Sequence, residues 1–80
     1  MKNLEMLYRY AMRRGFRFNF TEDKDFINVL IYSENSDKIF SYCFDKAKDE
    51  MLYCTVDGKH YDNVDNALQD FDDYDLLRRG

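Results

Sequence analysis

The sequence predicts one α+β domain spanning residues 1–80, in which a helix, four short antiparallel strands and a second helix follow one another (α-β-β-β-β-α). Both helices are expected on one face of a meander sheet. Apolar residues recur at helical spacing near both ends of the chain, whereas aromatic and β-branched residues fill its middle. The polar turns between the strand segments have five or six residues, too few for the crossover that parallel strands require.

The first element is an amphipathic helix predicted over residues 2–14. Its apolar stripe has the i, i+3, i+4, i+7 spacing of one helical face and consists of Leu4, Leu7, Tyr8 and Ala11. Arg13 and Arg14 suit the carbonyl-rich C-terminal end of a helix, and Gly15 suits the left-handed residue that ends one.

Four strands are predicted next, over residues 16–20, 26–32, 39–44 and 51–56. In the first strand Phe16, Phe18 and Phe20 alternate with polar residues, which predicts one buried aromatic face. The second strand is the richest in β-branched and aromatic residues, and we expect it to be central. The dipeptide Asp57-Gly58 after the fourth strand is typical of a tight turn.

The last element is a helix predicted over residues 64–74 that frays into residues 75–80. Its apolar stripe repeats the helical spacing and consists of Val64, Ala67, Leu68 and Phe71. Asp62 or Asn63 is suited to cap its N-terminus, and Asp65 lies favourably in its first turn.

The chain has no run of 18 or more apolar residues, and its first residues lack the apolar stretch of a secretory signal. We therefore expect a soluble cytoplasmic protein without membrane contact, in the host cytoplasm if a phage encodes it. Cys43 and Cys54 fall on neighbouring predicted strands and could face each other across the sheet. In a reducing compartment we expect two free thiols that pack as small apolar side chains.

The sequence contains no recognisable catalytic constellation, so we expect a non-enzymatic protein with no catalytic residues, no cofactor and no metal. In the acidic run that begins at Asp70, Tyr74 and Asp75 stand where an EF-hand calcium loop needs an oxygen ligand and a glycine. His60 is the one histidine, and both cysteines lie inside strand segments rather than in the exposed electropositive setting of a nucleophile.

Charge is distributed unevenly within the formal net charge of −4. Residues 1–17 hold five basic residues against one acid, a balance of +4, whereas residues 57–80 hold seven aspartates against three basic residues, a balance of −4. Such an asymmetry indicates either that the two segments pair with each other or that they form two faces for two partners.

The acidic segment leads to the main functional hypothesis, a non-enzymatic protein-interaction domain. A row of carboxylates with aromatic anchors would suit the basic groove of a nucleic-acid-handling protein or complex. The residues predicted to contact that partner are Asp65, Asp70, Asp72, Asp73, Tyr61 and Tyr74, with turn acids Glu22, Asp23 and Asp25 as further candidates. In size and acidity the chain resembles small phage or mobile-element inhibitors such as anti-CRISPR proteins, a likeness of class without a shared motif.

Two alternatives remain open. The first is direct nucleic-acid binding by a basic stripe on the first helix and the start of the first strand, formed by Lys2, Arg9, Arg13 and Arg17. The second is a homodimeric structural or assembly module that pairs through an exposed strand edge or an aromatic patch. The 14 Phe and Tyr residues favour some surface aromatic side chains, because an 80-residue core has little room for them all.

Overall fold

A computed structural model describes residues 4–34 and 37–79, with side chains described up to Asp72. This part of the chain forms two helices and a five-stranded antiparallel sheet in which the strands lie in chain order. The elements are α1 (Leu4–Arg14), β1 (Arg17–Glu22), β2 (Phe26–Tyr32), β3 (Ile39–Asp45), β4 (Glu50–Val56), β5 (Lys59–His60) and α2 (Val64–Arg79). The predicted meander flanked by two helices is confirmed.

Several boundaries differ from the predicted ones. The predicted start of α1 at residue 2 lies outside the described residues. Strand β1 continues to Glu22, because this residue still pairs with Ile27 of β2. The two-residue strand β5 was not predicted, since a segment this short carries no periodicity. Helix α2 extends beyond residue 74 to Arg79.

One face of the sheet is apolar and carries both helices. Residues directly opposite each other on paired strands point to the same face, so Val29 and its partner Tyr42 lie together with Cys54 on the next strand. These side chains are at most 1% exposed. The helices add Leu7, Ala11, Val64, Ala67, Leu68 and Phe71 to the same core. The predicted apolar stripe of α2 is therefore confirmed as its buried face.

Helices α1 and α2 run in the same direction across the sheet. Met6 and Asp65, near the two N-termini, line one groove, and Arg14 and Asp72 form an ion pair near the other end of that groove. Phe16 follows α1 and meets Phe71 of α2 edge to face, with ring centroids 5.1 Å apart. This aromatic pair joins the first and last elements inside the core.

Turn chemistry fixes the ends of the strands. Asp57 and Gly58 both have positive φ, 52° and 86°, which is the geometry of a type I′ hairpin and confirms the predicted tight turn. At the opposite end of the sheet the buried Asp45 carboxylate accepts hydrogen bonds from the backbone N–H groups of Ala47 and Lys48, at 3.0 and 3.1 Å. An irregularity in the β3–β4 pairing leaves Leu52 without a partner in β3.

The second strand was predicted to be central. It is an interior strand, but β3 is the middle strand of the five.

The sheet face opposite the helices is partly apolar, since the side chains of Leu30, Ile39, Leu52 and Tyr53 are 39–46% exposed. Within the described ranges, neither helix is long and apolar enough to cross a bilayer.

Candidate functional site

Two of the predicted contact residues, Tyr61 and Asp70, are bound to each other. The Tyr61 hydroxyl donates a hydrogen bond to the Asp70 carboxylate, and Lys38 Nζ lies 3.6 Å from the same carboxylate. The hydrogen bond raises the pKa of Tyr61 to about 12, with burial as a second cause, and lowers the pKa of Asp70. Asp70 is thus held as a carboxylate by neighbours within the chain.

Asp72 is also paired internally. Its carboxylate Oδ1 lies 2.5 Å from an Arg14 guanidinium nitrogen, and both side chains are about one-third exposed. Since Arg14 ends α1, the basic and acidic helices pair with each other at this point, as one interpretation of the charge asymmetry proposed. The predicted contact residues Asp73 and Tyr74 also lie in α2, but their side chains are outside the part of the chain that the structure describes.

Asp65 is exposed in the first turn of α2 and lines the groove between the two helices. The groove has a volume of about 680 Å³. Arg9 and Arg13 line it from α1, and Asp65 and Asp72 line it from α2. The structure therefore brings Asp65 and Asp72 to one groove and leaves Tyr61 and Asp70 together beside Lys38.

The predicted basic stripe is largely engaged with acids of the same chain. Arg9 lies 2.5 Å from Glu5, one helical turn away. Arg17 Nε donates to Glu34 at 2.8 Å, and this hydrogen bond raises the pKa of Arg17. Arg13 is exposed and lines the interhelical groove. Lys2 lies outside the described residues.

A concentration of exposed carboxylates lies at the end of the sheet that holds the β1–β2 and β3–β4 turns. The two turns contact each other, since the Lys46 backbone N–H donates to the Asp25 carbonyl at 2.9 Å. The N-terminus of α2 adjoins them, because Asp62 and Asp65 line one depression with Met51, the residue after Glu50. We call this surface the acidic end; it comprises Glu22, Asp23, Asp25, Asp49, Glu50, Asp62 and Asp65.

Those seven exposed carboxylates stand among three lysines, Lys24, Lys46 and Lys48. Glu22 is paired with Lys46, at 2.9 Å. Asp23 accepts from the backbone N–H groups of Asp25 and Phe26, both at 2.8 Å, and these bonds lower its pKa. With the buried Asp45 carboxylate of the same turn, eight carboxylates stand against three lysines, so the acidic end has a formal local balance of eight minus three, or −5.

A second surface has the opposite character. Tyr8, at 50% exposed, packs edge to face on Phe18 at 5.3 Å, and Phe18 neighbours Phe20, which is 46% exposed. With Leu4 these residues form an apolar patch on the outer edge of the sheet, which we call the apolar edge.

The prediction of a buried aromatic face on the first strand was wrong for Phe20, and Tyr8 of the predicted α1 stripe is exposed as well. Strand β1 is the outermost strand of the sheet, so among the described residues no further strand covers Phe20, and Tyr8 on α1 is half-exposed. One sequence signal was available, since the first strand of a meander is always an edge strand.

The two cysteines are buried in neighbouring strands. Tyr42 pairs with Cys54 and Cys43 pairs with Tyr53, so the two thiols are free, buried and on opposite faces of the sheet. Burial raises the pKa of both thiols, that of Cys54 to about 11. Among the described residues, no three His, Cys, Asp or Glu side chains are grouped to hold a metal ion.

Comparison with known proteins gives no relative. No protein-family model matches the chain, and no curated protein is similar to it. No solved structure matches it either. A function is therefore inferred from the surfaces themselves.

Proposed function

We propose that this protein is a non-enzymatic interaction domain that binds a basic protein surface through its acidic end. In its most specific form, the protein is a small inhibitor, of the anti-CRISPR kind, that blocks a nucleic-acid-binding complex. The observation that carries the proposal is the segregation of seven exposed carboxylates at the turns and the α2 N-terminus.

The acidic end suits a groove that normally receives phosphates. Its carboxylates come from two turns and one helix start, so they form a surface with several rows rather than a single helical row. Complementary charge accelerates the encounter with a basic partner and fixes its orientation, and high salt weakens both effects.

The proposed contact set moves from the predicted α2 residues toward the turns, where Asp25 was already a further candidate. Asp65 remains in it, because its carboxylate is exposed at the acidic end. Asp70 and Asp72 are engaged with Tyr61 and Arg14, and a partner would have to compete with these contacts. Asp25, Glu50 and Asp62 take their place, since each is exposed and none is a turn cap like Asp23.

The alternative of direct nucleic-acid binding by α1 has weaker support. Arg9 and Arg17 already face Glu5 and Glu34 within the chain. Phosphate binding would require these ion pairs to open, which lowers the net gain from each contact.

The test is capture of partners from a host lysate, with and without nuclease treatment, by three forms of the protein. The first form is the wild type. The second, the triple variant Asp25→Asn/Glu50→Gln/Asp62→Asn, removes three charges from the acidic end. The matched control, Glu34→Gln/Asp37→Asn/Asp57→Asn, removes three exposed charges elsewhere.

The proposal expects a basic nucleic-acid-binding protein that the wild type and the control retain and that the acidic-end variant loses at least about tenfold. Purified partner should then lose nucleic-acid binding when this protein is added, and the affinity of the partner for this protein should fall as salt is raised. Equal capture by both triple variants would contradict the role of the acidic end. Capture that disappears on nuclease treatment would favour direct nucleic-acid binding.

A further inference from the structure

We propose that the chain forms a two-fold symmetric dimer in which the β1 strands of two copies pair antiparallel and the two apolar edges meet. This inference concerns the outer edge of β1, which adjoins the acidic end at Glu22 and Asp23, and it does not depend on the partner proposed above. Its basis is the combination of an unprotected edge strand, an apolar patch on one side of it and self-complementary charges along it.

Strand β1 has few of the features that usually prevent edge pairing. In the described part of the chain the sheet has two edge strands, β1 and β5, and β5 has two residues. Strand β1 has six, pairs regularly with β2 without a bulge, and contains no proline or lysine. Short strands, bulges, prolines and charged side chains are the common protections of an edge. The charges of β1 stand only at its two ends, Arg17 and Glu22, so its centre from Phe18 to Thr21 is open to a further strand.

The side chains of β1 favour a second copy of the same strand as that partner. A two-fold axis through the sheet keeps the helices of both copies on one face when Asn19 of one copy faces Asn19 of the other. Phe18 and Phe20 of one copy then stand opposite Phe20 and Phe18 of its partner. In the alternative register, in which Phe20 of one copy faces Phe20 of the other, Phe18 would stand opposite the charged Glu22. The Asn19-centred register is therefore favoured.

Charge along the strand fits the same arrangement. Arg17 begins β1, and Asp23 follows its last residue. Antiparallel pairing brings Arg17 of each copy opposite Thr21 of the other, with Asp23 the diagonal neighbour on the same face. Long side chains reach such diagonal neighbours, so Arg17 of one copy can approach Asp23 of the other. Arg17 already pairs with Glu34 and Asp23 already accepts two backbone hydrogen bonds, so this contact favours the register but adds little binding energy.

The apolar edge is placed to be covered by this pairing. Tyr8, Phe18 and Phe20 lie on the helix-bearing face beside β1, and their rings touch in sequence. In the dimer the two patches adjoin between the two α1 helices, which removes apolar surface from water on both copies. Because two six-residue strands make a small interface, we expect a weak dimer with a dissociation constant in the micromolar to millimolar range.

Sedimentation velocity from about 10 μM to about 1 mM protein tests the proposal directly. We expect a concentration-dependent dimer whose dissociation constant rises at least about tenfold in Phe20→Lys and less than about threefold in the control Leu52→Lys. Both side chains are 46% exposed, so both variants should fold, which circular dichroism checks. A monomer throughout this range, or equal weakening by both variants, would overturn the proposal.

Disulfide trapping tests the register. Asn19→Cys places two thiols on the symmetry axis, where opposed Cβ atoms approach disulfide distance, so mild oxidation should give a covalent dimer. Thr21→Cys on the same strand face should give no covalent dimer. In this register position 21 of one copy lies four residues along the strand from position 21 of the other, a distance of roughly 13 Å. Trapping of Thr21→Cys as readily as Asn19→Cys would overturn the register and, with it, the aromatic pairing.

Discussion

The Tyr61 hydroxyl donates a hydrogen bond to the Asp70 carboxylate, and this contact ties the segment after β5 to the second turn of α2. Lys38, which precedes β3, adds a positive charge 3.6 Å from the same carboxylate. Three separate parts of the chain thus meet at one anion.

Replacing Tyr61 with Phe removes this hydrogen bond while keeping the ring. We expect the free energy of unfolding to fall by about 1 kcal/mol, at the lower end for a hydrogen bond to a charged group because the site is half-exposed. Urea denaturation at neutral pH measures the change. Tyr8→Phe is the matched control, since Tyr8 is exposed, and it should change stability by less than about 0.5 kcal/mol.

The same contact predicts a pH dependence in alkali. The pKa of Tyr61 is raised to about 12 in the folded protein, whereas an unfolded tyrosine ionises near pH 10. A raised pKa stabilises the fold below the unfolded value and loses that effect as pH rises through the folded value. The stability difference between wild type and Tyr61→Phe should therefore shrink between about pH 10 and 12.

Phenolate absorbance near 295 nm gives an independent check of that window. Subtracting the titration of Tyr61→Phe from that of the wild type isolates this phenol, and its midpoint should lie near 12. A midpoint near 10 would mean that the Asp70 contact does not persist in solution.

The buried thiols should be unreactive in the folded protein. Cys54 is fully buried with a pKa of about 11, so on the order of 0.1% of it is thiolate at pH 8. A thiol reagent such as DTNB should label Cys54 slowly in buffer and rapidly in denaturant. The variant Cys43→Ser leaves Cys54 as the one thiol that the reagent can report.

Mild oxidation should give no disulfide bond between Cys43 and Cys54, because they lie on opposite sheet faces. Rapid formation of that bond in buffer would contradict the β3–β4 register.

Phe71 should be a principal determinant of stability. Its ring is 1% exposed and meets Phe16 edge to face, so Phe71→Ala removes both a large buried surface and an aromatic pair. We expect a loss of about 3–5 kcal/mol, a large share of the stability of a domain this small. Thermal unfolding measures it, and Phe20→Ala at low protein concentration should cost under about 1 kcal/mol because that ring is 46% exposed. Similar losses in both variants would contradict the assigned core.

The order of the elements could be predicted because local patterns determine it. The stripe that includes Val64 and Phe71 has helical spacing, and it is also the face that the sheet buries. The turn at Asp57-Gly58 follows equally from local chemistry, since both residues adopt the positive φ that the dipeptide predicted. In these segments the sequence pattern and the tertiary structure agree.

The surfaces were harder to predict because they depend on residues distant in sequence. Asp72 faces Arg14 from the far end of the chain, and no spacing rule connects them. The exposure of Tyr8 and Phe20 depends on how far α1 covers the outer strand, which periodicity does not specify. The acidic end likewise assembles carboxylates from two turns and a helix start that only the fold brings together.

The meander also has a consequence for how the chain folds. Each strand pairs with the next one along the chain, so every ladder closes through a short turn and the entropic barrier of each closure is small. Topologies dominated by such local pairings fold faster than sheets that join distant strands. The contacts that span the chain, Phe16 with Phe71 and Arg14 with Asp72, close much longer loops and so cost more entropy to form. We therefore expect α2 to dock late, so that substitutions on its buried face accelerate unfolding more than they slow folding.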